Sequence, residues 1–396
     1  MSYKYKIIFI TLYFILIIST ERLYYQKLFN ESLEIIPKFQ KSIPDSYTIW
    51  KIIAFLGTKP AFGVIYIILF LFIPVNKIFV MTFLLIFTGY VDHVGKILYR
   101  QERPLWINPE ININSQHSCG YGNPSGHSLS SSCLYLSFWY VLSEILNNLI
   151  NNKKLFNIVK YAIFSFCLGI IYLIMTSRIY LGVHSINQII FGFLIGLGIF
   201  LLFLPLFKVY HNTASEFLNN QYKYRYITLG LILVGILIYY ISYFCRKDVE
   251  NVEELLNWKK MCSDQKWSKL LMKASFMGGE SIFIILGMFI GLYYSKIKID
   301  KIYPNEEESI FDWNYEKFVK RFLKLIFLIL GFIPVGIIFL LNLFDISYIF
   351  FYVASPFLFF LGGFLTFGPC LIYGYKFISH KSNNNEMLKL NPDFGE

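Results

Sequence analysis

Long runs of apolar residues, separated by short polar segments, follow one another along most of this chain of 396 residues. A transmembrane helix needs about 20 mostly apolar residues, because every backbone polar group inside a bilayer must be satisfied within the segment. The runs that meet this requirement lie at 52–75, 78–99, 128–146, 161–177, 186–207, 226–245, 275–294, 322–344 and 347–375. The pattern therefore predicts an all-α fold, a polytopic membrane protein with about nine transmembrane helices.

A shorter apolar run, Ile7 to Ser19, follows two lysines near the N-terminus. Its length and basic start suit the core of a signal peptide, retained or cleaved, as well as they suit a tenth helix. Both alternatives put residues 20–50 on the far side of the membrane, where Asn30 begins a sequon and is a possible glycosylation site. We expect an N-terminal extension, a single membrane domain and a cytoplasmic tail, at 1–45, 46–376 and 377–396.

Composition and charge agree with a membrane protein. The chain is 56% hydrophobic and only 15% charged, whereas soluble domains are about a quarter charged. When the helices are threaded in order, one side receives the basic loops 147–160, 208–225 and 295–321, as expected of a cytoplasmic face. The other side receives 100–127, 178–185 and 246–274, the last of which is also basic. Loops near anionic lipid account for the net charge of +11, so no nucleic-acid partner is required.

Three short runs at the ends of apolar segments carry the candidate chemistry. They are Lys96 to Pro104 (KILYRQERP), Pro124 to His127 (PSGH) and Ser177 to His184 (SRIYLGVH), and the threading puts all of them on the non-cytoplasmic face. Arg103 and Arg178 offer planar forks of donors that match phosphate oxygens, and Lys96 adds a mobile point charge. Lys96 and Arg103 converge only if the chain turns sharply between them, and Pro104 favours such a turn. These cations predict a phosphate-binding site.

The two histidines of these runs have the chemistry needed to break a phosphate ester. Ser125 is a candidate N-cap, and Gly126 lets the backbone approach an anion at the start of the helix. His127, in the first turn, is suited to protonate the leaving oxygen. His184 is suited to attack phosphorus and form a phosphohistidine, with its other ring nitrogen held by the amide oxygen of Gln188 one turn later.

We expect neither a metal nor another cofactor in this site. The three runs lack paired His and Cys spacings and clustered carboxylates, and their three cations would repel a divalent ion. Among the other histidines, only His117 is expected to approach a substrate, because it lies in the loop between the first two runs. The cysteines form no disulfide framework, although Cys119 and Cys262 fall on the same predicted side and could pair.

The order and spacing of the three runs resemble the three-part signature of the type 2 phosphatidic acid phosphatase superfamily, which vanadium haloperoxidases share. This resemblance implies that His127 is the acid and His184 the nucleophile. It implies that phosphate is bound by Lys96, Arg103, Ser125, Gly126 and Arg178.

Within that superfamily, the sequence resembles the glucose-6-phosphatase branch. Gln188 stands where most other members have Asp, and this branch typically has Gln. Trp106, Gly120, Gly122 and the stretch Leu255 to Trp267 also look like this branch. The chain departs from it by starting about twenty residues earlier and by lacking a C-terminal dilysine signal.

The resemblance implies hydrolysis of D-glucose 6-phosphate in gluconeogenesis, glycogenolysis or glucose homeostasis. It also implies a lumenal site in the endoplasmic reticulum membrane and a separate glucose-6-phosphate transporter as a possible partner. Two alternatives stay open. A lipid phosphate phosphatase of the same superfamily would take its substrate from the bilayer and usually has Asp at position 188. A sugar-phosphate transporter or binding protein would use the same cations without turnover.

Overall fold

The computed structural model describes residues 3–70, 75–112, 120–209, 222–244, 281–302 and 348–367, with single positions between 326 and 337. Every regular element in these ranges is helical, which confirms the predicted all-α class. The helices are α1 (Tyr3–Ser42), α2 (Tyr47–Phe55), α3 (Lys59–Phe70), α4 (Val75–Tyr99), α5 (Pro104–Ile107), α6 (Gly126–Leu149), α7 (Lys153–Tyr180), α8 (Ile186–Val209), α9 (Tyr222–Phe244), α10 (Ser281–Ile302) and α11 (Tyr348–Phe367). They belong to two compact units: the first contains α1, α2, most of α4 and α5 to α8, and the second contains α10 and α11.

Helices long and apolar enough to cross a bilayer confirm a multi-pass membrane protein. Among the described residues there are 5 such helices, α1, α4, α6, α7 and α8, or 6 if the bent pair α2 and α3 forms one span. The apolar parts of α9, α10 and α11 are shorter and fall within the predicted spans 226–245, 275–294 and 347–375. Most of 322–344 lies outside the described residues, so the number nine stays a prediction.

The predicted span at 52–75 is wrong as a single straight helix. α2 ends at Phe55, α3 begins at Lys59, and their axes differ by 52°. Gly57 lies in the break, where a side chain would come within 2.7 Å of Ile174 and 3.3 Å of His127. Counting apolar residues missed the bend, because the break is only three residues long and interrupts the apolar run little.

The apolar run near the N-terminus lies in the first half of α1, a helix of 40 residues, and the choice between a signal segment and an extra span stays a prediction. α1 packs against both α7 and α8. Near its start, Tyr13 Oη donates to the carbonyl of Leu194 on α8 at 2.7 Å. Near its end, Gln40 Nε2 donates to the carbonyl of Tyr180 at 2.7 Å. The helix is thus packed along its length and reaches the end of the unit where α7 terminates.

Small residues let α8 approach α6 closely. Gly192 and Gly196 lie four residues apart on the α8 face that meets α6. A side chain at Gly192 would come within 2.6 Å of the carbonyl oxygen of Ser125, and one at Gly196 would meet Ser132 and Leu129. This spacing of glycines is the usual way in which membrane helices bring their backbones together. It places the start of α6 directly beside α8.

Glycines also allow close helix packing in the second unit. α10 and α11 pack against each other. Gly287 on α10 faces the carbonyl of Phe360, and Gly363 on α11 faces the carbonyl of Ile284. Each glycine leaves room for the backbone of the other helix, so this pair too is built on close backbone contact.

Candidate active site

The three runs meet at one end of the first unit. α4 ends at Tyr99, and Arg100 follows with a φ of 49°, in the left-handed region. Arg103 is extended, with φ −100° and ψ 147°, and Pro104 starts the short helix α5. The sharp turn predicted between Lys96 and Arg103 is therefore confirmed. A cluster of buried apolar residues, including Trp106, Tyr121, Tyr180 and Val183, packs beneath these loops.

Arg103 is buried and held by the backbone. Its guanidinium donates to the carbonyls of Gly120 at 2.5 Å, Tyr121 at 3.0 Å and Val183 at 2.7 Å. Nη1 also lies 3.2 Å from Nε2 of His184. Burial lowers the pKa of Arg103 to about 10, so the side chain is still positively charged at neutral pH. Arg103 thus connects the first run to the third and presents its charge to the ring of His184.

Gln188 fixes the ring of His184. The Gln188 amide nitrogen donates to the carbonyl of Glu102 at 2.7 Å, and its Oε1 accepts from the backbone N–H of Ser185 at 3.3 Å. Oε1 therefore faces Nδ1 of His184, 3.2 Å away, and accepts a hydrogen bond from the Nδ1–H group. The proton is thus held on Nδ1, and the lone pair of Nε2 points toward Arg103. Gly122 makes room for this amide, because a side chain there would come within 2.5 Å of it.

Burial and positive charge keep His184 neutral. Its side chain is 2% exposed, and burial is the largest cause that holds its pKa well below 6.5. The charges of Arg103, Arg178 and Lys96 lower the pKa further, in that order. An uncharged imidazole with no proton on Nε2 is the form that a nucleophile requires.

The remaining two cations differ in how they are held. Arg178, at the end of α7, is 6% exposed, and its Nε has no hydrogen-bond partner among the described residues. Lys96 Nζ lies 2.9 Å from the carboxylate of Asp92, one turn earlier on α4. Asp92 therefore balances one of the three positive charges.

The PSGH run is placed by contacts with α4 and α8. Ser125 is the N-cap residue of α6, as predicted, but its side chain makes no capping hydrogen bond. Its Oγ accepts from Ser128 at 3.1 Å, and its backbone N–H donates to the carbonyl of Gln188 at 3.0 Å. A side chain at Gly126 would come within 2.5 Å of the Asp92 carboxylate, so Asp92 would have to move to admit one. His127 follows in the first turn of α6 and is partly buried.

The structure thus brings together Lys96, Arg103, Ser125, Gly126, His127, Arg178, His184 and Gln188. Asn30 lies elsewhere, exposed on α1, and Ser32 of its sequon is buried. His117, Cys119, Cys262 and the stretch Leu255 to Trp267 lie outside the described residues.

Two buried acids beside the site were missed by sequence reasoning. Asp92 is 5% exposed and Glu21 is 1% exposed, and both lie within apolar helices. An acidic residue inside a membrane-spanning segment is costly and usually functional, so that signal was present in the sequence. Within the described ranges, no group of three or more His, Cys, Asp or Glu side chains is arranged to hold a metal ion.

Comparisons with known proteins agree with the resemblance at the superfamily level. Phosphatidylglycerophosphatase B of Bacillus subtilis (strain 168) is 35% identical over 86 residues, which are 22% of this chain and 39% of that protein. The match thus spans less than half of that relative. The crystal structure of a transmembrane PAP2-type phosphatidylglycerolphosphate phosphatase from Bacillus subtilis is similar with a TM-score of 0.41 at 20% identity, covering 52% of this chain and 98% of that one. Residues 77–211, which contain all three runs, match the PAP2 superfamily and form a PAP2 superfamily domain.

Proposed function

We propose that this chain is a membrane phosphatase that hydrolyses the phosphate monoester of a lipid through a phosphohistidine at His184. The observation that carries the proposal is the geometry of that ring: Gln188 holds Nδ1 at 3.2 Å, and Nε2 faces Arg103. The neutral ring is thereby oriented as a nucleophile among three cations.

In the proposed reaction, the lone pair of His184 Nε2 attacks phosphorus, and the bond from phosphorus to the ester oxygen breaks. His127 donates a proton to that leaving oxygen, which departs as the lipid alcohol. A water molecule then attacks the phosphohistidine while His127 accepts its proton, and inorganic phosphate leaves. Lys96, Arg103 and Arg178 stabilise the charge on the phosphoryl oxygens in both steps.

A lipid substrate is supported by the comparisons and by the position of the site. The relative that is 35% identical over 86 residues is named for a lipid phosphate. The site residues lie at the ends of helices that are long and apolar enough to cross a bilayer. A lipid phosphate monoester would carry its phosphate at that depth while its acyl chains stay in the membrane.

D-Glucose 6-phosphate is the second candidate substrate. Gln188 favours it, because Gln at this position resembles the glucose-6-phosphatase branch. That substrate would bring with it a lumenal site in the endoplasmic reticulum and a transporter partner. The comparisons favour a lipid phosphate over glucose 6-phosphate as the substrate. The same active-site chemistry would hydrolyse either substrate.

A side-by-side assay tests the proposal. Purified protein in mixed micelles is given phosphatidylglycerol phosphate, phosphatidate or glucose 6-phosphate, and released phosphate is measured. We expect kcat/KM to be highest for a lipid monoester by at least about 100-fold, which corresponds to about 2.7 kcal/mol of transition-state binding. A preference for glucose 6-phosphate would replace the lipid proposal with the second candidate.

The nucleophile is tested in the same assay. His184→Ala should abolish turnover and the acid-labile phosphoenzyme that brief incubation with radiolabelled substrate traps. His380→Ala, in the predicted cytoplasmic tail, is the matched control and should keep wild-type activity. Full activity of His184→Ala would exclude the phosphohistidine mechanism.

A further inference from the structure

A buried carboxylate on α1 lies beside the site although it belongs to none of the three runs. Glu21 is 1% exposed. It lies on α1, and α2 and α3 separate α1 from the segment 77–211 that matches the superfamily. A carboxylate that is removed from water is costly unless hydrogen bonds satisfy it. The contacts of Glu21 supply those hydrogen bonds.

Glu21 holds two of the runs directly. Its Oε1 accepts from Gln101 Nε2 at 3.0 Å and from Asn123 Nδ2 at 2.9 Å. Gln101 lies two residues before Arg103, and Asn123 lies two residues before Ser125. One carboxylate oxygen therefore fixes the spacing between the loop that carries Arg103 and the start of α6.

The third run is reached through Gln101. Asn187 Nδ2 donates to Gln101 Oε1 at 3.0 Å, and Ser185 Oγ donates to Asn187 Oδ1 at 2.6 Å. Ser185 directly follows His184. A continuous chain of side-chain hydrogen bonds thus links the carboxylate on α1 to the turn that carries the nucleophile.

We propose that Glu21 is a positioning residue of the phosphatase site, which sets the distance between Arg103 and His184 through its amide partners. This proposal rests on the function proposed above. A carboxylate suits the role because it only accepts hydrogen bonds and its charge strengthens those from both amides. The site then extends beyond the superfamily domain to include the N-terminal helix.

The test compares variants of Glu21 in the full-length protein. Glu21→Leu leaves both amides without their acceptor, so the loops that carry Arg103 and His184 lose their fixed spacing. We expect kcat for a lipid phosphate monoester to fall by about 100-fold while KM changes by less than about threefold. Inhibition by orthovanadate, which mimics five-coordinate phosphorus, should weaken by at least about 10-fold. Glu21→Gln keeps an acceptor oxygen and should recover most of the lost kcat.

Two controls separate positioning from stability. Glu31→Leu removes an exposed carboxylate from the same helix and should keep wild-type kinetics. Thermal unfolding and size-exclusion chromatography define the folded fraction of each variant. If folded Glu21→Leu has the wild-type kcat and vanadate inhibition, Glu21 serves stability alone and the proposal is overturned.

A double-mutant cycle tests the path through Gln101. Because Glu21 acts through that amide, Gln101→Leu should lower kcat as well, and adding Glu21→Leu to it should cause little further loss. Independent, multiplicative losses would overturn the proposed path.

The activity of the wild-type protein tests the proposed function separately from the positioning role of Glu21. If the wild-type protein hydrolyses no phosphate monoester, the proposed function fails. Binding of orthovanadate then decides the positioning role by itself: weaker binding to Glu21→Leu than to wild type supports the role, and equal or absent binding overturns it.

Discussion

At the scale of single residues, the two buried arginines have different tasks. The guanidinium of Arg103 donates hydrogen bonds to three backbone carbonyls and to the ring of His184. Arg178 is equally buried, but its Nε has no partner among the described residues. Arg103 is therefore suited to hold the loops and the nucleophile in place, and Arg178 has donor capacity left for the oxygens of a phosphate group.

Gln188→Glu should shift the pH dependence of activity. As the proposed nucleophile, His184 would react only when neutral, and its pKa lies well below 6.5 because of burial and the nearby cations. A carboxylate next to Nδ1 stabilises the protonated ring, so it raises the pKa of His184. Activity is lost as pH falls through the pKa, and the acidic limb of kcat/KM should therefore move to higher pH.

The control for this prediction is Gln188→Leu, which offers no acceptor to Nδ1. It should lower kcat/KM without moving the acidic limb upward. An unchanged limb in Gln188→Glu would mean that position 188 does not control the protonation of the nucleophile.

Asp92→Asn should make the protein depend on a bound anion for stability. Removing the carboxylate leaves Lys96 without its ion pair, and loss of one partner of a buried pair costs up to about 3 kcal/mol of the free energy of unfolding. Added inorganic phosphate replaces the missing negative charge. Thermal unfolding should therefore show a lower melting temperature than wild type and a larger increase on addition of phosphate.

Asp45→Asn serves as the control, because Asp45 is exposed in the turn between α1 and α2. Its melting temperature and its response to phosphate should match those of the wild type. A wild-type phosphate response in Asp92→Asn would contradict the role of Asp92 as the counter-charge of Lys96.

At the scale of elements, the site depends on how closely α6 and α8 approach each other. α8 carries Gln188 near its start and Gly192 one turn later, and the start of α6 carries the PSGH run. The backbone N–H of Ser125 donates to the carbonyl of Gln188 at 3.0 Å. This contact fixes the second run against the third, and it requires the space beside Gly192.

Gly192→Ala should damage the site by pushing these helices apart. Its methyl group would come within 2.6 Å of the carbonyl oxygen of Ser125, which belongs to the backbone and has no side-chain freedom. Overpacking of this kind costs about 1–3 kcal/mol. We expect a lower melting temperature and a fall in kcat/KM of at least about 10-fold.

Gly169→Ala is the matched control on α7. A side chain there meets nothing within 4 Å, so activity should be unchanged. Stability should stay equal or rise by about 0.5–1 kcal/mol, because alanine is the better helix former. Equal behaviour of the two variants would contradict the packing argument.

At the scale of the whole molecule, the first unit places all of its candidate chemistry at one end. α6 starts at that end with Gly126 and runs to Leu149, a length of about 36 Å, which is enough to cross the roughly 30 Å hydrocarbon layer. The link between α6 and α7 therefore lies on the side of the membrane opposite to the site. The positive-inside rule predicts that the basic residues of 147–160 lie on the cytoplasmic side, and the prediction that follows is a site that faces away from the cytoplasm.

Thiol labelling tests this orientation. Glu110 and Asn151 are exposed, the first in the loop after α5 and the second between α6 and α7. In sealed vesicles with the cytoplasmic side outward, a membrane-impermeant maleimide should label Asn151→Cys at once. It should label Glu110→Cys only after permeabilisation, with the unmutated chain as the background control. The reverse pattern would invert the predicted topology.

The sequence was most informative where spacing alone identifies chemistry. The three cations, both histidines and Gln188 could be named in advance, because ionisable and amide side chains at the ends of apolar runs have few other reasons to recur in this order. The bend at Gly57 could not be predicted, since a count of apolar residues is insensitive to a short break. Asp92 and Glu21 were overlooked although each is an acid in an apolar helix.

The substrate could not be read from Gln188, and the structure gives the physical reason. Gln188 contacts His184, Ser185 and the carbonyl of Glu102. It orients the ring of His184, the proposed nucleophile, which would attack every phosphate monoester in the same way. A residue that does not touch the leaving alcohol carries little information about whether that alcohol is a sugar or a lipid.

The pairing of Glu21 has a consequence for biosynthesis. Translation proceeds from the N-terminus, so α1 enters the membrane before Gln101 and Asn123 have been made. Until those amides arrive, the carboxyl group in the first helix has none of the hydrogen-bond donors that hold it in the finished protein. An α1 that inserts at the wrong depth would carry Glu21 away from these amides, so correct insertion of α1 is a condition for assembling the candidate site.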